Sequence, residues 1–187
     1  MFHSGDGLTR VPVAWTLETR MGQLEPPDLH FLSSAVGWLE LGNPTEAKAE
    51  LDGISASNQE HPDVLELRWL IYLRKEDWPR CLEIARALVR AAPERSTSWL
   101  HQAYAMRRVP EGGVKQAWDV LLPAFDRFPT ESTIAYNLSC YACQMQLLDD
   151  ARLWLKRALA IGGQDRIKQM ALDDTDLEPL WKEIPDY

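Results

Sequence analysis

Few side chains in this sequence are spaced as chemistry requires, and Cys140-Tyr141-Ala142-Cys143 stands first among them. The pair has the CxxC spacing of redox and zinc sites. It falls inside a stretch patterned as helix, without the strand or turn that precedes a redox site, and no second cysteine pair completes a zinc site. Both cysteines are therefore expected to serve packing. The four histidines, His3, His30, His61 and His101, are scattered and match no ligand spacing such as His-Glu-x-x-His. Asp173, Asp174 and Asp176 form an acidic group that helix caps explain, with no nucleophile or general acid and base beside it. Gly112-Gly113 lacks the preceding strand and the glycine-lysine spacing of a phosphate loop. The expectation is a protein without catalytic residues, cofactor or metal.

The elements that carry these residues belong to a chain of ordinary globular composition, 45% hydrophobic and 26% charged over 187 residues. That length supports one domain with its own core. Acids outnumber bases, 28 Asp plus Glu against 20 Lys plus Arg. A net charge of -8 disfavours nucleic acid as the main ligand, because phosphate binding needs a basic footprint. No apolar run approaches the roughly 20 residues of a membrane span, and the N-terminus lacks a basic end followed by an apolar stretch and a cleavage site. Three cysteines, Cys81, Cys140 and Cys143, cannot all pair within the chain. These features point to a cytoplasmic protein with no membrane partner.

An internal repeat dominates the pattern. A shift of 34 residues lays Phe31 on Leu65, Ala35 on Trp69, Trp38 on Tyr72, Ala47 on Cys81 and Leu51 on Ala85. A second such shift takes Leu65 to Trp99 and Trp69 to Ala103, and from Gln116 the shift is 36, with the two extra residues in Pro110-Glu111-Gly112-Gly113. A fourth copy follows, carrying Ala103 to Ser139 and Ala117 to Ala151. Within each copy the apolar spacing of three, four and seven is a helical face. Breakers divide every copy into two helices. Asp28 reads as the cap of the first helix and Gly42 as its stop, while Asn43-Pro44-Thr45-Glu46 opens the second. Asp77, Ser96, Pro93, Pro129 and Gly162-Gly163 repeat the punctuation later.

The expected copies are 28–61, 62–95, 96–131 and 132–163, flanked by an N-terminal arm, 1–27, and a C-terminal cap, 164–187. A helix pair of this size buries one side only, so copies must stack, and stacked antiparallel pairs rotate into a superhelix. Small residues such as Ala35, Ala47, Cys81, Ala103, Ala117, Ser139 and Ala151 mark the helix crossings. Trp69 breaks that rule, which predicts a looser or tilted first helix in the second copy. Most of the eight tryptophans are expected as core or inter-repeat wedges.

Residues 28–163, about three quarters of the chain, resemble four tetratricopeptide repeats of bacterial type. The segments Tyr136-Asn137-Leu138-Ser139 and Leu148 through Leu159 come closest to a consensus copy. The resemblance implies an all-α fold, a right-handed α-solenoid of antiparallel helix pairs closed by a capping helix. It also implies a concave face, lined by the first helix of each copy, that binds peptide segments of other proteins without catalysis. Of the lysine, arginine and asparagine clamp with which some such repeats hold a C-terminal carboxylate, only Asn137 stands at a matching place.

At the ends, Leu177, Leu180, Trp181 and Ile184 form one apolar face on a tail that covers the last repeat, and Arg166 to Leu172 reads as a short helix. Val11, Val13, Trp15 and Leu17 alternate as in an extended, half-buried segment. The arm either packs loosely on the first repeat or lies as a ligand mimic in the groove of its own or a neighbouring molecule, which would make a homo-oligomer.

On this register the groove positions are Leu29, Leu32, Val36 and Leu39 in copy one, and Asp63, Glu66, Leu70 and Leu73 in copy two. Thr97, Leu100, Tyr104 and Arg107 follow in copy three, and Thr133, Tyr136, Cys140 and Cys143 in copy four. Arg74, His101, Arg108 and Asn137 add donors at the edges. The site expected from this set is Leu70, Leu73, Arg74, Leu100, Tyr104, Arg107, Arg108, Tyr136 and Asn137, an apolar and aromatic trough with an arginine edge suited to an amphipathic helix or extended peptide. The expected function is a non-enzymatic scaffold or adaptor that binds a partner protein. The alternatives are a self-associating structural spacer and a secretion-type chaperone for apolar segments.

Overall fold

The structure, a computed structural model, describes residues 24–187. The alternating segment Val11 to Leu17, and with it nearly all of the expected arm, lies outside the described residues. Among the described residues the chain is all-helical, with nine α-helices, three 3-10 turns and no strand. They fall into two compact units, 24–109 and 110–187.

The first unit contains α1 (Asp28–Glu40), α2 (Pro44–Asp52), α3 (Pro62–Arg74), α4 (Trp78–Ala91) and α5 (Ser96–Met106), and each helix packs on the next in sequence. The second contains α6 (Val114–Arg127), α7 (Ser132–Gln144), α8 (Leu148–Gly162) and α9 (Gln164–Leu172), followed by 3-10 turns at Thr175–Leu180 and Ile184–Asp186. Here α7 packs on α6 and α8, and the first of these turns packs on α7.

The turns that fold one helix back on another recur in detail. Asn43 N–H donates to Trp38 O at 2.8 Å, Asp77 N–H to Tyr72 O at 3.1 Å, and Leu147 N–H to Ala142 O at 2.9 Å. In each turn the residue before the donor has a left-handed backbone: Gly42 at φ 77, Glu76 at φ 54 and Gln146 at φ 61. This is the Schellman arrangement that satisfies the last carbonyls of a helix. The next helix then starts on its own cap. Asn43 Oδ1 accepts Glu46 N–H at 3.2 Å, Asp77 Oδ1 accepts Arg80 N–H at 3.2 Å, and a proline follows each cap, Pro44 at the first helical position and Pro79 at the second.

Asp28 departs from its expected role. The cap position of α1 is Pro27, and Asp28 is a buried first-turn residue. Its carboxylate accepts Ser55 N–H at 2.9 Å and Asn58 Nδ2–H at 2.7 Å, together with the Ser55 hydroxyl. Asp28 thereby ties the start of α1 to the connection after α2, and the Ser55 donors hold its carboxyl below the usual range.

The small residues at the expected crossings, Ala35, Ala47, Cys81, Ala103, Ala117, Ser139 and Ala151, have no exposed surface. Trp69 is equally enclosed, because its indole lies flat against the His101 imidazole with ring centres 3.7 Å apart. The tryptophans as a group are less buried than expected. Trp69 and Trp154 are core residues, whereas Trp38, Trp78, Trp99, Trp118 and Trp181 are half-buried. An indole N–H needs an acceptor, which favours element edges. Trp99 Nε1 donates to Pro93 O at 3.0 Å and Trp181 Nε1 to Ala171 O at 2.9 Å.

A left-handed residue with a Cβ carries a cost of about 1–2 kcal/mol, partly offset on replacement by the greater unfolded-state entropy of glycine. Glu76→Gly should therefore stabilise the protein by about 0.5–1 kcal/mol, read as a higher urea midpoint at unchanged slope. Equal or lower stability would show that Glu76 is relaxed in its turn.

Candidate functional site

The expected groove residues of the first unit gather on α3 and α5. Leu70, Leu73 and Leu100 are half-buried, and Arg74 is exposed at the end of α3. Tyr104 meets Trp69 and Trp78 edge to face, with ring centres 6.1 Å and 5.8 Å apart. The Arg108 guanidinium lies 3.6 Å from the centre of the Tyr104 ring and 5.2 Å from that of Trp78, and it donates to Tyr104 O at 3.1 Å. Arg107 caps the end of α5 and is half-buried. Two arginines thus stand at the C-terminal end of α5, where cations oppose the helix dipole, beside a tyrosine that carries both apolar surface and a cation.

The other end of the same helices is acidic and closed. Asp63 and Glu66, expected to face the groove, are both buried. Asp63 Oδ1 accepts Arg95 Nη1–H at 2.7 Å, and its second oxygen lies 3.8 Å from His61 Nδ1. Glu66 is bonded to His101 Nε2, on the ring that stacks on Trp69. Such pairing is what allows buried carboxylates to persist. In α1, Leu32, Val36 and Leu39 are core residues of the first unit rather than groove lining, and Leu29 packs against that core.

Tyr136 and Asn137 lie in the other unit and present no open surface, with exposures of 3% and 4%. Tyr136 Oη donates to Asp174 Oδ2 at 2.9 Å, and Asn137 Nδ2 donates to Thr133 O at 2.8 Å within its own helix. The reason is the tail. Asp174 caps the turn Thr175–Leu180 by accepting Asp176 N–H at 3.0 Å, and Leu177, Leu180 and Ile184 of the tail have no exposed surface. Copy four therefore offers a covered first helix where the sequence suggested groove, and Cys140 and Cys143 are buried with it. Burial, with Asp176 opposite, pushes the Cys143 thiol up to about 11, and burial pushes Cys81 up to about 12. Neither is a thiolate at neutral pH.

Two pairings lie beyond the sequence pattern. The register makes His101 an edge donor, and the one signal of its bond to Glu66 and its stacking on Trp69 is the large Trp69 at a position otherwise given to small residues. Asp174 has the spacing of a cap, and nothing local announces its bond to Tyr136.

No family model matches the chain, and no curated protein is similar to it in sequence. No helix among the described residues is long and apolar enough to cross a membrane.

Charge also fastens the tail. Arg152 Nε and Nη2 donate to the two oxygens of Glu183 at 2.8 Å and 2.9 Å, and Tyr187 Oη donates to the same carboxylate at 3.0 Å. These bonds, Arg152 first, hold Glu183 down at about 2, against an ordinary value of 4.5. A depressed carboxyl contributes stability that is present above its unfolded value and is lost as pH falls through the folded one. The stability difference between the protein and its Glu183→Gln variant should therefore be full at pH 7 and shrink between pH 4.5 and about 2. Thermal melts across that range measure it, and a difference independent of pH would show that the pair is not formed.

Proposed function

We propose that this chain is a non-enzymatic interaction module of the tetratricopeptide-repeat type, in which antiparallel helix pairs continue as a right-handed α-solenoid and a face made of first helices binds a segment of a partner protein. The observation that carries the reading is the Trp78, Tyr104 and Arg108 stack, flanked by Arg107 and Arg74 and by the half-buried Leu70, Leu73 and Leu100. Aromatic and arginine side chains beside leucines give a surface that desolvates readily and still fixes polar groups, the composition of binding hot spots. Three arginines at the ends of α3 and α5 favour a segment that carries carboxylates. The binding face so defined belongs to the 24–109 unit, since Tyr136 is bonded to the tail and Asn137 is buried. Three cysteines, which cannot all pair within the chain, fit a reducing, cytoplasmic setting.

Selection of a displayed peptide library on the full chain tests this. Enriched peptides should bind the Tyr104→Ala, Arg107→Ala double variant about 10-fold or more weakly, as loss of two anchors predicts. They should bind unchanged to a Glu83→Ala, Arg86→Ala variant on the exposed side of α4. Loss of binding only in the α4 variant would move the binding surface there. If no peptide is enriched and the sedimenting mass rises with concentration, the self-associating spacer replaces this reading.

A further inference from the structure

Cys140 and Cys143 stand one turn apart on α7, so their side chains leave the same side of the helix. The sequence offers this pair no second pair of cysteines. The fold brings it carboxylates instead. The turn Thr175–Leu180 packs on α7, and Asp174 and Asp176 at its start meet the Cys140 thiol. Cys140 Sγ and one carboxylate oxygen each from Asp174 and Asp176 lie within 4.8 Å of one another, the one such convergence of potential ligands among the described residues.

The spacing suits a particular chemistry. Cys140 Sγ is 3.6 Å from Asp174 Oδ2. In a tetrahedral centre with bonds of about 2.3 Å to sulfur and about 2.0 Å to oxygen, those two donors stand about 3.5 Å apart. The Cys140 thiol donates along that line, where an ion would lie. The surroundings already orient the donors, since Tyr136 Oη holds Asp174 Oδ2 at 2.9 Å and Asp176 N–H holds Asp174 Oδ1 at 3.0 Å, as outer partners hold metal-ligating carboxylates. Cys140 and Asp174 are each 3% exposed, unlike the surface acids that gather without a ligand.

We propose that Cys140, Asp174 and Asp176 bind a divalent ion of the zinc class that fastens the C-terminal tail to α7. A sulfur donor with oxygen donors in a closed site selects zinc over the hard calcium and magnesium ions, which take oxygen alone. The Cys140 thiol loses its proton to solvent and its sulfur lone pair forms the bond to the ion, so binding strengthens as pH rises. The ion would cross-link two elements separated by some thirty residues of sequence, the usual work of a structural site.

Cobalt titration of the reduced, chelator-treated full chain tests the proposal. One ion per chain should bind with the visible absorption of tetrahedral cobalt and a thiolate-to-cobalt charge-transfer band, both abolished by zinc. Cys140→Ser and Asp176→Asn should each weaken binding by about 10-fold or more, and Tyr136→Phe by about 10-fold through the outer partner. Cys81→Ser, whose thiol lies in the other unit, should leave the spectrum unchanged. Asp176 is only half-buried, so its variant retains the fold if Cys140→Ser does not. Absence of the charge-transfer band in excess cobalt, a six-coordinate cobalt spectrum, or cobalt affinity unchanged in both variants would overturn the site.

Discussion

The backbone hydrogen bonds that close the turns at Asn43, Asp77 and Leu147 are the constraint on which both units are built. Each bond spans five residues back into the preceding helix and requires a left-handed residue just before the donor. The next helix must then run back along the first, which brings Ala47 toward Ala35 and Ala151 toward Ser139 at close crossings. Ser139 Oγ makes such a crossing visible, since it donates to Ala151 O at 2.8 Å. A pair so formed has an apolar side left over, and only another helix can cover it. The packing of α2 on α3, of α4 on α5 and of α6 on α7 follows from that requirement.

The two units meet it with different chemistry. In the second, every residue of α7 from Ile134 to Cys143 is buried, and the sequence from Ser132 to Leu148 carries no charge. A helix apolar or small on all sides is one made to be enclosed. In the first unit α3 carries Asp63, Glu66 and Arg68 among its leucines, and the two acids are buried. Each needs a dedicated partner, Arg95 for one and His101 for the other, and both partners lie beyond α4 in the sequence. Those pairings hold α3 to the segment around the start of α5 at the acidic end and leave the arginine end to Tyr104 and Arg108. A polar gradient along two adjacent helices results. It gives the proposed binding face its direction.

The helices were legible because their signals are local. Asn43-Pro44, Asp77 with Pro79, and Gly42 act within one turn of the chain, and the spacing of Ala35, Ala103 and Ser139 needs no tertiary information to mark a crossing. Glu76 and Gln146 were not legible as turn residues, because neither has the freedom of the glycine at the matching place in the first copy. The candidate site was legible only in part. Leu70, Tyr104 and Arg107 come from a register that repeats, whereas the burial of Tyr136 depends on where a nonrepeating tail lands. The absence of charge over Ser132 to Leu148 was the available signal that α7 is covered on more than one side. Periodicity alone treats α7 like the other first helices, since it counts where apolar residues recur and not how many sides they occupy.

The tail shows why burial of a charge and burial of a bond must be kept apart. Glu183 and Asp174 are both tail carboxylates with a tyrosine hydroxyl donating to them, yet their proton affinities move in opposite directions. Glu183 is bonded on both oxygens by a guanidinium near the surface, so its charge is welcome and its pKa falls. Asp174 is enclosed, and burial raises its pKa although Tyr136, Cys140 and the Asp176 N–H all donate to it. Neutral donors do not replace the solvation that a carboxylate loses. As pH rises through the ordinary aspartate value and then through the raised one, the unfolded chain ionises first and Asp174 subtracts stability.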